Sequence, residues 1–393
     1  MTGEQEALVL CAIGEEAIKS KDWLKAATIF ERAIGADVTC VRGWVGTACC
    51  QRENMDYEKA ERSCRSALAL DSGCIPAWLE LSEIHGEQYK WSETEDACKR
   101  ALALDSNCAK AMANLAVVRS SNGGVDEAIS LLERSFELDP NDIDARCALG
   151  WIHFNEGGYD LAMSSANTAL QLDANDDGVH YLIGSVHHAR GDNEAAAQSF
   201  DTAAAFATRP AMRYVHLIGA CVLREDHWKA IEHYLALIAL CPSKSSYQTE
   251  LGTLYYKVDR MDDSLKALRT AVKMNPSDSD AHYMLGCIYV RYSDRDALLL
   301  EIKTLRRLNP SWADILYRSI IPWELSRTTY HGLVFMGVWL GLGVMSKLPS
   351  GWLLAHPLYL CLGLAIFGFY GDRYLRLQRM AREPSPDSCK CPR

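Results

Sequence analysis

Apolar and small side chains return along this chain with a fixed period. Cut every 34 residues from Ala7, the sequence falls without insertion or deletion into nine units, 7–40, 41–74, 75–108, 109–142, 143–176, 177–210, 211–244, 245–278 and 279–312. One column reads Ile13, Thr47, Leu81, Leu115, Leu149, Ile183, Leu217, Leu251 and Leu285, and the next reads Gly14, Ala48, Ser82, Ala116, Gly150, Gly184, Ile218, Gly252 and Gly286. A second small column runs from Ala26, Ala60 and Thr94 through Ala128, Ala162, Ala196 and Ala230 to Ser264 and Leu298. Two helical turns later stand Ala33, Ala67, Ala101, Ser135, Ala169, Ala203, Leu237, Ala271 and Leu305. Small residues at this spacing let two antiparallel helices approach to about 8–10 Å, with larger apolar side chains filling the groove beside them. The pattern predicts an all-α chain in which each unit is a helical hairpin. No hairpin buries both of its apolar faces alone, so the units must stack.

Turn chemistry supports the hairpins. Gly123-Gly124, Gly157-Gly158 and Gly191-Asp192 fall at the middle of three units. Asp139-Pro140-Asn141-Asp142, Cys241-Pro242-Ser243, Asn275-Pro276-Ser277 and Asn309-Pro310-Ser311 close others, where proline ends one helix and opens the next. The period and the Leu-Gly, Ala and Ala-x4-Pro columns resemble the tetratricopeptide repeat over residues 7–312. Departures are local: Val38, Ser72, Ser106, Ala174 and Thr208 replace the terminal proline, and Thr47 and Ile218 interrupt the Leu-Gly columns. The resemblance implies a superhelical solenoid of antiparallel helix pairs that binds proteins or peptide segments on a concave face lined by the first helix of each unit.

After Trp312 the period stops. Residues 313–327 read as a capping helix from Ala313 to Ile321 and a linker opened by Pro322. Thr328 to Ser346 then passes without a formal charge, Lys347 interrupts, and Leu348 to Gly371 is uncharged again. A bilayer-spanning helix needs about 20 apolar residues, so 328–371 is expected to be a hairpin of two transmembrane helices turning at Pro349-Ser350-Gly351. Arg318 and Arg327 before it and Arg373, Arg376, Arg379 and Arg382 after it place both termini on the cytosolic side. A re-entrant hairpin, suggested by His356-Pro357, and a buried helix pair in a longer solenoid or a dimer interface stay open as alternatives. Gly337 and Gly341 form a G-x-x-x-G through which helices or two copies of the chain could pack. Residues 372–393 are a basic and then disordered tail, in which Cys389 and Cys391 are candidate lipidation sites.

Charge sharpens this picture. The chain of 393 residues carries 41 Lys/Arg and 51 Asp/Glu, a net −10. From Ala313 onward nine basic residues face five acidic ones, so the residues before it carry −14. An acidic solenoid is unsuited to a phosphate backbone and favours basic or apolar segments in its groove. The fifteen cysteines include no C-x-x-C pair, and Met1–Leu10 lacks the basic and apolar regions of a signal peptide. The thiols are therefore expected to be small buried hydrophobes. Cys40, Cys74 and Cys108 lie 34 apart at equivalent positions, and units two and three have near-identical endings. Duplication explains that spacing better than disulfides, because stacked helices sit roughly 10 Å apart and a disulfide needs Cα atoms within about 7 Å.

No catalytic motif occurs, and no cofactor is expected. Adjacent His187 and His188 point about 100° apart on a helix and cannot share a metal; His227 and His233 fare no better. The positions that would form a chaperone-type carboxylate clamp hold Cys11 and Glu15, Gly46, and Pro76 and Glu80. Lys110 and Asn114 have the matching chemistry but share one unit. Glu15, Glu80, Lys110, Asn114, Tyr181, His216, Glu250 and Tyr283 are the candidate concave-face contacts. The expectation is a membrane-anchored, non-catalytic adaptor that binds other proteins. A targeting receptor or co-chaperone, and an accessory subunit of a membrane complex, are the competing readings.

Overall fold

The computed structural model describes residues 2–319, almost entirely as helix. Nine hairpins follow one another at the predicted period. They are α1 (Gly3–Lys19) with α2 (Trp23–Ala36), α3 (Val41–Glu53) with α4 (Tyr57–Leu70), α5 (Ile75–Glu87) with α6 (Trp91–Leu104), and α7 (Ala109–Ser121) with α8 (Val125–Leu138). Next come α9 (Ile143–Asn155) with α10 (Tyr159–Leu170), α11 (Asp177–Ala189) with α12 (Asn193–Phe206), and α13 (Pro210–Leu223) with α14 (His227–Leu240). The last are α15 (Ser245–Lys257) with α16 (Met261–Met274) and α17 (Ser279–Tyr292) with α18 (Arg295–Leu308). The chain divides into two units, Met1–Cys241 and Pro242–Arg393.

The small columns are where helices meet. An added Cβ at Gly14 would stand 2.7 Å from the Phe30 ring, at Gly150 2.4 Å from Leu182, at Gly184 2.5 Å from Phe200, and at Gly252 2.6 Å from Leu268. Ala26, Ala60, Ala128, Ala162, Ala196 and Ala230 are fully buried between the helices of their hairpins. Large side chains such as Phe30, Leu132, Leu182 and Leu268 fill the space that these small residues leave.

Every hairpin turns through one residue in the left-handed conformation, at Lys21, Met55, Tyr89, Gly123, Gly157, Gly191, Glu225, Asp259 and Ser293. Only three of these nine carry the glycine that the conformation favours. The following helix opens one residue later, and Asp22, Asp192, Asp226 and Asp294 there accept a hydrogen bond from its first-turn backbone. Between repeats a second device recurs. The carboxylates of Asp37, Asp71, Asp105, Asp139 and Asp173 accept from the backbone N–H two residues on at 2.9–3.1 Å.

A third device was hidden in the sequence. The side chains of Trp44, Trp78, Arg146, His180 and His282 each reach back six residues to a backbone carbonyl, at Val38, Ser72, Pro140, Ala174 and Pro276. Those five residues occupy one column of the repeat and share a side-chain N–H rather than an identity.

In the second unit, residues 310–319 are helical, beginning three residues before the expected start at Ala313. Asn309 caps this helix through Trp312 N, and Pro310 is tolerated in its first turn. Ala313 and Leu316 are buried against the last repeat, Leu316 standing where a Cβ on Gly286 would lie. These two side chains cover part of the apolar edge of the last repeat. Among the described residues no helix is long and apolar enough to cross a membrane. The hairpin 328–371, Gly337 and Gly341, and the tail with Cys389 and Cys391 lie outside the described residues.

Twelve cysteines fall among the described residues. Cys11, Cys40, Cys50, Cys64, Cys98 and Cys241 are buried as expected, and burial pushes the Cys50 and Cys98 thiols up to about 12. Cys40, Cys74 and Cys108 stand at the N-caps of α3, α5 and α7.

Candidate binding groove

The odd-numbered helices form the inner layer of the first unit. Each touches its hairpin partner and also the next odd helix, from α1 through α3, α5, α7 and α9 to α11. Between α11 and α13 the backbones stand further apart, α13 packing chiefly on α12 and α14 while its His216 side chain still reaches α11.

On α3, α5 and α7 this inner face holds a dense charge cluster. Arg52, only 8% exposed, contacts four carboxylates: Glu53 at 2.9 Å, Glu80 at 3.1 Å, Glu83 at 2.9 Å and Glu87 at 3.0 Å. Burial works against its charge, yet these carboxylates, Glu83 foremost, hold its pKa well above the ordinary value. The balance for Glu80 runs the other way. Burial outweighs the Arg52 guanidinium, and the Glu80 carboxyl is pushed up to about 7. Lys110 on α7 lies 3.4 Å from Glu83 and 2.5 Å from Asp144 on α9. The Asn114 amide donates to the Ser82 hydroxyl at 2.7 Å. A pocket of about 400 Å³ opens here, lined by Glu83, Glu87, Trp91, Lys110, Asn114 and Asp144 among others. Beside it, sharing Val117 and Asp144, a second hollow of about 320 Å³ is lined by Cys147, Ala148, Trp151 and Ile152.

The groove thus changes character along its length, from charged at α3–α7 to aromatic at α9–α13. Trp151 packs on Phe154 and Tyr181, and Tyr181 packs on Phe200 and His216 with ring centroids 5.1–5.8 Å apart. His216, 1% exposed, reaches the Asp177 carboxylate through Nε2 at 3.3 Å.

The eight predicted contact residues therefore divide. Glu80, Lys110 and Asn114 meet around the charged pocket, and Tyr181 meets His216 in the aromatic segment. Glu15 lies apart, its carboxylate taken by Arg42 through three hydrogen bonds of 2.6–3.1 Å. Glu250 and Tyr283 belong to the second unit. There they line a small hollow with Thr249, Asp280 and Trp312, and burial followed by the Asp280 charge raises the Glu250 pKa. Lys110 and Asn114, the two residues of clamp-like chemistry, are both engaged by their own chain.

Sequence reading missed Arg52, Glu53, Glu83, Glu87, Asp144, Trp151 and Arg209. One signal was present: Glu53 and Glu87 are 34 residues apart, hence equivalent positions of successive repeats. Arg209 stands in a column that otherwise reads Thr39, Gly73, Asn107, Asn141, Asn175, Ser243, Ser277 and Ser311.

The fold and groove define a helical-repeat protein of the kind that presents an inner surface to polypeptides. A family profile described as tetratricopeptide repeat matches residues 114–178, 147–210 and 249–291, and the chain carries tetratricopeptide repeats. Among solved structures, that titled as an APC/C hetero-tetramer of Cut9 and Hcn1 is similar at a TM-score of 0.54 and 16% identity. The match covers 71% of this chain and 55% of that one, so the chain spans just over half its length. A likeness at that identity is one of fold. The Pseudomonas aeruginosa pilF structure matches at a TM-score of 0.45 and 20% identity, over 51% of this chain and 92% of its own. YrrB, described as a tetratricopeptide-repeat protein with an unusual peptide-binding site, matches at 0.30 and 23%, over 45% and 91%. No curated protein matches the sequence.

Proposed function

We propose that this protein is a membrane-tethered tetratricopeptide-repeat adaptor that holds a partner polypeptide in the groove of its first unit and has no catalytic role. The observation that carries the groove reading is the continuous inner face of α5, α7 and α9. There a charged pocket adjoins an aromatic hollow, so that one face offers a basic or polar side chain an ionic contact and an aliphatic one a dry contact. Acid predominates over base along the repeats, which favours a basic partner segment laid along it. The tether rests on the charge-free stretches 328–346 and 348–371 and on their flanking arginines. Both termini then face the cytosol.

Proximity labelling from the N-terminus tests both parts. Trp151→Ala with Lys110→Glu should remove a defined set of labelled neighbours while leaving membrane fractionation unchanged. Deleting 328–371 should release the protein to the carbonate-soluble fraction. An unchanged neighbour set in the groove variant would remove the groove from the account, and carbonate release of the intact protein would remove the tether.

A further inference from the structure

The junction between the sixth and seventh repeats departs from its equivalents at two positions. Where five earlier junctions place an aspartate whose carboxylate folds the loop, this one has Ala207, with φ −57° and ψ 119°. Where the equivalent residues are small or amide-bearing, it has Arg209. Pro210 follows and holds Arg209 extended, at φ −82° and ψ 118°. The backbones of α11 and α13 also stand further apart here than those of the earlier odd-numbered pairs.

Arg209 does not serve its own neighbourhood. Its guanidinium donates to both oxygens of Glu53, 156 residues away, at 2.5 and 2.9 Å, and to both oxygens of Glu87, 122 residues away, at 3.3 and 3.2 Å. These bonds carry the seventh repeat back onto the ends of α3 and α5. The Arg209 side chain is 22% exposed and lines the charged pocket. A second contact closes the same gap: Cys241 Sγ, at the end of α14, lies 3.7 Å from Met55 Sδ in the turn after α3. Nearest-neighbour stacking requires neither contact.

We propose that Arg209 is an ionic latch that closes the turn formed by repeats two to seven over the charged pocket, so that latch release governs entry to the groove. The latch itself stands on geometry alone, whereas its regulatory meaning rests on the groove being the binding surface. Two carboxylates on different helices give the guanidinium a fork that a lysine cannot reproduce. The latch is ionic and partly exposed, so salt weakens it.

The test uses the full chain in detergent with Met55→Cys, so that a 55–241 bridge formed by a short bis-methanethiosulfonate cross-linker reports the closed turn, read by mass spectrometry of the linked peptide. In the same samples, carbodiimide labelling of Glu83 reports access to the pocket. The parent variant should form the bridge. Adding Arg209→Gln should slow bridging by about tenfold and raise Glu83 labelling, with Arg209→Lys intermediate and circular dichroism unchanged. Raising salt to about 1 M should slow bridging in the parent and not in Arg209→Gln. Failure of the parent to bridge, or equal bridging rates with arginine and glutamine, would overturn the latch. Slower bridging with unchanged Glu83 labelling would overturn its control of the pocket. None of these readouts involves a partner, so they stand apart from a failure of the adaptor reading.

Discussion

At Glu225 a glutamate adopts φ +59°, the conformation that three other repeats give to glycine. Left-handed backbone costs an L-residue about 1–2 kcal/mol, offset in part by the greater chain entropy that glycine loses on folding. Glu225→Gly should therefore slow local exchange of the α13–α14 turn by up to about 1 kcal/mol in hydrogen-exchange free energy, and faster exchange would contradict the strain account. Glu80 makes a different statement about a single residue. Its carboxyl titrates near 7, above the 4.5 of an unperturbed glutamate, so the folded state keeps a proton that the unfolded chain releases. The stability it contributes is complete below about 4.5 and is lost as pH rises through about 7. In Glu80→Gln the protection of α3 and α5 should depend less on pH across that window, measured by amide exchange corrected for intrinsic rates. Neither property was legible in the sequence. Glu225 looks like any exposed glutamate, and the proton affinity of Glu80 depends on a burial set by α3 and α5 together.

The hairpin as an element was legible because its constraint is written as size. A small residue at Gly14, Gly150, Gly184 or Gly252 is the trace of a neighbouring ring or leucine less than 3 Å from an added Cβ, and size repeats visibly at 34 residues. The back-bonding column was not legible, since tryptophan, arginine and histidine share no volume or hydropathy, only an N–H at the right reach. Trp44 and Trp78 donate to Val38 and Ser72 at 2.9 and 3.1 Å. Trp44→Phe keeps the aromatic bulk and removes the donor, leaving the Val38 carbonyl to solvent. The loss expected is about 0.5–1.5 kcal/mol of protection, confined to α2, α3 and the loop between them. An equal loss throughout the chain would mean that the bond is not local. The groove stands between these cases. Lys110 and Asn114 were identified by chemistry at the inner-helix positions, whereas Arg52 and Glu53 sit at the end of α3, outside the columns that mark the repeat.

For the whole molecule, a stack of hairpins should behave as a one-dimensional array in which each repeat depends on its neighbours. Gly252 in the eighth repeat has the Leu268 side chain 2.6 Å from an added Cβ, and Leu268 is fully buried. Gly252→Val forces that leucine aside, an overpacking that costs about 1–3 kcal/mol. The cost should surface as faster amide exchange in α15 to α18, the helices that form hairpins with or stack beside the altered one. Exchange in α1 to α8 should be unchanged, because no nearest-neighbour step carries the strain so far. The period of the sequence marks one hairpin after another, but period alone is silent about residues far apart in the chain. Arg209 meets Glu53 only because the chain from the second repeat to the start of the seventh curves far enough to bring them together, and that curvature accumulates from small rotations between hairpins that no single column encodes. Accelerated exchange of α1 to α8 in Gly252→Val would show that repeats separated by more than one step are coupled, and the array description would then fail for the chain as a whole.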